Sequence, residues 1–416
     1  MKETLITGLD VGSTAIRVVV GQMFSDGGER KIQILGTVEH PSEGINKGSI
    51  TNIDDAVASI TACLEKAERL VGVPLDSAWV GISGIHVLAQ VSKGIVAVGK
   101  VNGEIARHDV ERAVEAARAI ATPPNYEILH VIPRSATIDG QLVIKDPIGM
   151  SGTRLEIDTY IIQGFASDVR NFTKCIYRTG LEIEDLVFSI LATAECTLSN
   201  KQKEIGVCLV NIGGSTTSLV IYEEGEIIHT SVIPVGSNHI TSDIAIGLRI
   251  SIETAEKIKL HYGTLQAKEL PKSAEINLED IDEREQGSVS LKYVSQIIEA
   301  RVEELFDKVE LELKKIGRNG VLPGGVVLTG GGSKLSGIIE LAKKRLKLPA
   351  SYAEVKNVVN PLEKIFDQSF STAVGLVYWG LSFTQQKSKH ASHLFNMDSH
   401  GEVRGRVKKW FRSLLP

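Results

Sequence analysis

The sequence predicts a two-lobed α/β fold with a small inserted α+β subdomain, and three observations predict it. A strand-turn-strand unit occurs twice, as LITGLDVGSTAIRVVVGQM and as GVCLVNIGGSTTSLVIYEEG, about 200 residues apart. Amphipathic helices alternate with apolar strands on both sides of the second unit. Between residues 84 and 166 that rhythm gives way to short strands around a single helix. Two similar units in one chain imply two related lobes that face one another.

The elements follow in order. Leu5 to Leu9, Ile16 to Gly21 and Ile32 to Val38 read as strands, followed by a helix from about Asp54 to Val71 and a strand at Trp79 to Ser83. These build lobe I, residues 1–83, to which 167–200 (with a helix near Asp168 to Thr179) and 360–383 return. In the insertion, 84–166, Val110, Ala113, Val114 and Ala117 form an apolar stripe behind Asp109 as expected N-cap. Lobe II spans 201–359 and includes a charged segment, 265–290, and a long helix from about Val289 to Ile316, within a helical subdomain at about 250–318. Residues 384–400, rich in Ser, His and Gln, read as a flexible linker to a terminal amphipathic helix at 401–416.

Composition narrows the function classes. With 416 residues, 43% hydrophobic and 23% charged, the chain can bury large cores. Formal net charge is -5, although Arg404, Arg406, Lys408, Lys409 and Arg412 stand against only Glu402 in the tail. The body is therefore more acidic than the total, which argues against nucleic-acid binding, and the basic tail needs its own explanation. Cys63, Cys175, Cys196 and Cys208 are scattered without metal-ligand spacing and read as reduced core thiols. No signal peptide or window of about 18 apolar residues is present, so a cytoplasmic location is expected unless the tail attaches the protein to a membrane.

Three glycine turns carry the chemistry. Backbone N–H groups freed by glycine can converge on a phosphate, hydroxyls add donors, and a strand-end carboxylate can hold the waters of magnesium. Asp10, Gly12, Ser13 and Thr14 supply that set in the first unit; Asn211, Gly213, Gly214, Ser215, Thr216 and Thr217 supply it in the second, with an amide in place of the carboxylate. Either turn alone is a weak signal, since Gly-Ser-Thr after a strand is usually just a hairpin turn; the pair is much stronger. The third turn, VVLTGGGSKLSG, sets Gly330, Gly331, Gly332 and Ser333 between a strand and a helix, where a flat ligand can lie on bare backbone. Glu256 and Lys259, three apart on a helix, are either a surface ion pair or ribose and base contacts. No GxxxxGK[ST], HExxH or GxGxxG pattern occurs.

Two phosphate loops, a TGGGS loop and an AEKIK helix in this order resemble the actin, Hsp70 and sugar-kinase superfamily. Within it, HVIPRSATIDG, DPIGMSGTRLEID, VIPVGSNHITSDIA, VVLTGGGSKLSG and STAVGLVYWG resemble the bacterial cell-division family FtsA, as does the insertion at 84–166. The resemblance covers about residues 4 to 383 plus the tail. It implies an actin-like ATPase fold that binds ATP and Mg2+ between its lobes. Asp10, Gly12, Ser13 and Thr14 would meet phosphate and, through water, the metal; Gly213 to Thr216 the second phosphate face; Gly330 to Ser333 the adenosine; Glu256 and Lys259 the sugar and base. Asn211 stands where the family usually has Asp, and Ser215 replaces a glycine. An amide cannot add negative charge for the metal, so binding is expected with slow or absent hydrolysis, and Asn211→Asp is expected to raise turnover.

The same resemblance implies a protein that polymerises on the inner face of the cytoplasmic membrane and tethers the FtsZ division ring there, promoting septum assembly with other divisome membrane proteins. Arg301 and Glu304, three apart on a helix, match positions that grip the FtsZ C-terminal peptide; a local ion pair explains the spacing equally well. In GEVRGRVKKWFRSLLP, Val403, Val407, Trp410 and Leu414 share a stripe that Phe411 and Leu415 widen, with Arg404, Arg406, Lys408, Lys409 and Arg412 on the flanks and opposite face. That pattern is expected to lie in the plane of an anionic membrane. The alternatives are a pilus-assembly relative sharing the insertion and a small-molecule kinase of the superfamily.

Overall fold

Strand β1 (Thr4–Val11) turns at Gly12 into β2 (Ala15–Asp26), and β3 (Glu29–Pro41) completes an antiparallel meander. The computed structural model describes residues 4–26, 29–100, 102–356 and 362–391. The two-residue strands β4 (Ile45–Asn46) and β5 (Ser49–Ile50) lead to helix α1 (Ile53–Val71). Asn52 caps α1 by accepting from the N–H groups of Asp54 and Asp55, and Gly72, at φ 76°, ends it in the left-handed conformation. Its buried face, Ala56, Ile60, Cys63, Leu64 and Ala67, closes one side of the sheet. Strand β6 (Ser77–Ile82) then runs parallel to β1.

The insertion follows at once: β7 (Val87–Ala97), α2 (Arg107–Ala121), β8 (Tyr126–Ile138), β9 (Leu142–Ile144) and β10 (Arg154–Phe165), with sheet order β7-β10-β8-β9. Helix α2 lies so close over β7 that a Cβ on Gly94 would stand 1.7 Å from the Ala113 carbonyl oxygen. Asp109 is the third helical residue rather than the N-cap. Ala106 occupies the cap, and Asp109 reaches back to accept from the N–H groups of Ala106 at 3.0 Å and Gly99 at 3.1 Å. The opposite face of the sheet, including Tyr160 and Ile162, packs with Phe188, Leu209, Tyr222 and Val327 in one core, and the Tyr160 hydroxyl accepts from the Thr230 N–H at 2.8 Å. The insertion is thus anchored on both lobes.

Helix α3 (Ala166–Arg178) and β11 (Glu182–Phe188) complete the first sheet, whose order is β11-β6-β1-β2-β3. Helices α4 (Ser189–Thr197) and α5 (Asn200–Ile205) lead into β12 (Val207–Ile212), β13 (Thr217–Glu223) and β14 (Glu226–Ile233). Next come α6 (Ser237–Leu248), α7 (Ile252–Tyr262), the short pair β15 (Glu275–Asn277) and β16 (Ser288–Ser290), α8 (Leu291–Lys315), β17 (Val326–Thr329), α9 (Ile338–Leu346) and β18 (Ala350–Tyr352). The second sheet, β14-β13-β12-β17-β18, repeats the first strand for strand: an antiparallel meander extended on the far side of its first strand by two parallel strands. The sequence repeat is therefore a repeat of topology.

Within the charged segment 265–290, Leu265, Ala267, Ile276 and Leu278 are buried, so apolar positions fix it to the second lobe. Helix α10 (Ser371–Ala391) returns to lobe I and packs on α4, where Gly375 leaves no room for a Cβ, 2.1 Å from the Ala192 carbonyl oxygen. Trp79 packs at a tilt against Phe383, 5.2 Å between ring centres, and α10 continues to Ala391, past the start of the segment read from composition as a linker. Residues 392–416, with the rest of that linker and every tail residue named above, lie outside the described residues. No helix among the described residues is long and apolar enough to cross a membrane.

Candidate functional site

The matching topologies place two matching turns at the C-terminal ends of β1 and β12. In the first, the Gly12 N–H donates to the Ala15 carbonyl at 3.1 Å; in the second, the Gly213 N–H donates to that of Thr216 at 2.9 Å. A Cβ on either glycine would press on that same carbonyl oxygen, at 2.7 and 2.9 Å. Two residues before each glycine stands the polar strand-end residue, Asp10 opposite Arg17 and Asn211 opposite Ser218. The turns face each other across the lobes. Ser83 and Ser218 hydroxyls meet at 2.9 Å, and a Cβ on Gly214 would stand 1.9 Å from Thr14 Oγ1.

The third turn leaves β17 beside β12. Gly330 adopts φ 86°, and a Cβ there would lie 2.3 Å from Asn211 Oδ1; at Gly332 it would lie 2.5 Å from Ile212 Cγ2. Gly331 differs. The atom nearest to a Cβ at this position would be Ser369 Cβ, 4.0 Å away, so a side chain there would project into open space.

That space is a cleft of about 770 Å³. Asp10, Gly12, Ser13, Thr14, Asn211, Gly213, Gly214, Ser215, Thr216, Glu256, Lys259, Gly330, Gly331 and Gly332 all line it. Ser333 does not: it is fully buried, its hydroxyl donating to the Gly330 carbonyl at 2.8 Å, so it shapes the turn from behind. Glu256 and Lys259 pair at 2.6 Å, as the ion-pair reading expects, and both line the cleft. The Lys259 side chain is 7% exposed, and its ammonium donates to Thr241 Oγ1 at 2.9 Å.

The cleft also contains residues that the sequence did not single out. Arg17 pairs with Glu39 at 2.6 Å, and Lys334 with Asp367 at 2.7 Å. Ser189 and Thr372 enter from the first turns of α4 and α10. Arg17 was legible in principle, as the cross-strand partner of Asp10 in a tight hairpin, and Lys334 directly follows the third turn; Ser189, Asp367 and Thr372 come from remote segments without local signature.

Burial pushes the Asp10 carboxyl up to about 6, and the neighbouring Arg17 guanidinium opposes this only in part. Among the described residues no cluster of three or more His, Cys, Asp or Glu could hold a metal. Asp10, the carboxylate at the end of β1 beside the glycine turns, fits magnesium held through water and a ligand's phosphates, not an all-protein cage. All four cysteines are free and buried, and burial pushes the Cys63 and Cys208 thiols up to about 12.

Arg301 and Glu304 lie on α8 and are not among the residues lining the cleft. Arg301 pairs with Glu304 and bidentately with Asp243 of α6, at 2.5 and 2.9 Å for the two Asp243 contacts.

Comparison with known proteins adds the following. The family model described as "Cell division protein FtsA" matches residues 208–375, and that of the "SHS2 domain inserted in FTSA" matches 84–163. The cell division protein FtsA of Pseudomonas aeruginosa is 35% identical over 409 residues, 98% of this chain and 97% of the relative. That of Bacillus subtilis is 37% identical over 373 residues, 90% of this chain and 82% of the relative. Among solved structures, a PilM-PilN type IV pilus biogenesis complex matches with TM-score 0.63 and 17% identity, covering 90% of this chain and 98% of the other. MreB 5 of Spiroplasma citri bound to AMPPNP matches with TM-score 0.54 and 14% identity, covering 94% and 99%. At such identities these two speak to the fold alone.

Proposed function

The chain belongs to the FtsA family of cell-division proteins and has an actin-like fold with an inserted SHS2 domain, and from this we propose that it binds ATP between its lobes and ties a division filament to the membrane. One observation carries the nucleotide assignment: three glycine turns from two lobes converge on a single cleft. Donors at Gly12 to Thr14 and Gly213 to Thr216 would surround the phosphates, while Gly331 would leave bare backbone under the adenosine. Glu256 and Lys259 would border the ribose and base, and Asp10 would hold magnesium through water. The MreB 5 structure with the same fold carries AMPPNP, which supports a nucleotide here.

Chemistry beyond binding is expected to be slow. Among the cleft's carboxylates, Glu39, Glu256 and Asp367 are each paired with a cation, which leaves Asp10. A small-molecule kinase would need a free base beside an acceptor as well as a metal carboxylate, so the kinase reading loses ground. Weak or absent hydrolysis suits a nucleotide that controls assembly.

Family membership supports three further parts of the proposal: polymerisation, capture of an FtsZ C-terminal peptide at Arg301 and Glu304, and attachment of residues 401–416 to anionic lipid, which together would put the protein at the inner membrane face of the division site. Titration with Mg-ATP tests the central claim. The wild type should bind, and Gly331→Asp should not, because its carboxylate enters otherwise open space rather than the core. Equal affinities would overturn the assignment.

A further inference from the structure

Asn211 stands at the end of β12, where the second phosphate turn begins, and its side chain points at lobe I. Nδ2 donates to Thr372 Oγ1 at 3.1 Å. Thr372 Oγ1 lies 3.0 Å from Thr193 Oγ1, and Thr193 Oγ1 donates to the Ser189 carbonyl at 2.8 Å. Thr193 is fully buried, so its hydroxyl has no water as an easy substitute, while Thr372, 4% exposed, sits at the cleft wall.

The proton count fixes the direction of this chain. Thr193 has one hydroxyl hydrogen, and the Ser189 carbonyl, which can only accept, takes it. Thr372 must therefore donate to Thr193, and its oxygen must accept from residue 211. An amide NH2 meets that demand; a carboxylate has no hydrogen to give. With aspartate in place of Asn211, the single Thr372 hydrogen could serve the new carboxylate or Thr193 but not both, leaving one buried oxygen facing another.

The chain also spans the two lobes. It starts on β12 of lobe II, passes through the first turns of α10 and α4, and ends at Ser189, which lines the cleft. Ser189 Oγ and Asp10 Oδ1 both border Gly81, at 2.8 and 3.7 Å from the place a Cβ would take. A parallel tie runs beside it, from Thr329 Oγ1 at the end of β17 to Ser371 Oγ at 2.8 Å.

We propose that Asn211 is a positioning residue: its amide starts a one-way hydrogen-bond chain through Thr372 and Thr193 that sets the separation of the two phosphate turns. On this view the amide is not a carboxylate lost from a hydrolytic site. It is the donor that this chain's pair of buried threonines requires, and Asn211→Asp opens the cleft instead of restoring turnover. The part concerning affinity rests on the nucleotide reading above; the part concerning lobe separation does not.

The experiment separates the two. Nitroxides at Lys66→Cys on α1 and Lys344→Cys on α9, both exposed, report the interlobe distance by pulsed electron resonance, because the native cysteines are buried. Mg-ATP affinity is measured on the same proteins. Asn211→Asp, Thr193→Val and Thr372→Val should each shift or broaden the distance distribution and weaken Mg-ATP roughly tenfold, the scale of one lost buried bond. Thr193→Ser and Thr372→Ser, which keep the hydroxyl, should restore both. Two threonines give two independent variants should one fail to fold. Wild-type distance distributions in the folded valine variants overturn the proposal. Absence of Mg-ATP binding in the wild type would instead overturn the nucleotide reading and leave the distance result to decide on the chain.

Discussion

Asp10 lies directly across the first hairpin from Arg17, yet the guanidinium only partly offsets the burial that lifts the carboxyl to about 6. Arg17 is itself held by Glu39 at 2.6 Å, which explains the weak compensation. A carboxyl raised above its unfolded value binds more protons in the native state. Its cost to stability is therefore absent well below pH 4 and complete above about 6. Asp10→Asn should raise the thermal stability of the ligand-free protein at pH 7.5, by up to roughly 3 kcal/mol for a rise of this size, and most of the gain should be lost by pH 4. The same variant should lose magnesium-dependent nucleotide binding. Melting curves at both pH values check the sign; stabilisation that is equal at pH 4 and 7.5 would show that the ionised carboxyl is not its source.

Gly214 and Thr14 make a close approach between the two glycine turns that end β1 and β12. A methyl group on Gly214 would sit 1.9 Å from Thr14 Oγ1 and 3.1 Å from Thr14 Cβ, so Gly214→Ala must turn the Thr14 side chain, push the turns apart, or both. Nucleotide affinity should fall about tenfold, roughly the effect of a 1.4 kcal/mol penalty. In a Thr14→Ala background the worst contact is gone, and adding Gly214→Ala should cost measurably less. A double-mutant cycle by calorimetry provides the check: additive effects would mean that the turns do not meet in solution.

Much of this architecture was legible because the chain repeats itself. Two similar strand-turn-strand units implied two lobes, and their glycines, visible as sequence, proved to line one cleft. What stayed hidden depends on distance along the chain. Thr372 and Thr193 look like ordinary helix residues, and only folding joins them to Asn211, through contacts that span 161 and 179 residues. Ser333 was misplaced for a local reason: three glycines and a serine read as one ligand-facing loop, whereas the short helix at Gly331–Lys334 turns the serine inward. Asp109 shows the same limit at a helix start, where an acidic residue can cap from the third position as readily as from the cap itself.

The tail prediction rests on sequence, since 401–416 lies outside the described residues. If the helical pattern of Val403, Val407, Trp410, Phe411, Leu414 and Leu415 meets lipid, Trp410→Glu should release the protein from anionic vesicles, and added salt should weaken the wild type. Each basic residue near the surface contributes about 1 kcal/mol, so a monomer should bind reversibly and a polymer with many tails far more tightly. Vesicle co-sedimentation that ignores both changes would rule out this anchor.

Arg301 offers the sharpest test of partner binding, because the free protein already occupies it. Its guanidinium is fixed bidentately by Asp243 and also meets Glu304, and these carboxylates hold it firmly in the charged state. A partner peptide's carboxylate or carbonyl must therefore compete with Asp243 or use the guanidinium edge that remains. Reversing Arg301 to Glu would put three carboxylates together and disturb α6 and α8 whether or not a peptide binds there, so loss of binding in that variant proves little. Two milder changes separate the cases. Arg301→Ala should weaken an FtsZ C-terminal peptide by about tenfold or more, as expected for loss of a charge-assisted bond. Asp243→Asn keeps the shape but releases one claim on the guanidinium, and should strengthen the peptide severalfold with Mg-ATP affinity unchanged. Fluorescence anisotropy with the labelled peptide reads both. Affinity that falls in Arg301→Ala and also falls in Asp243→Asn would mean that the pair matters only for holding α6 against α8, and the peptide site would have to be sought elsewhere on lobe II.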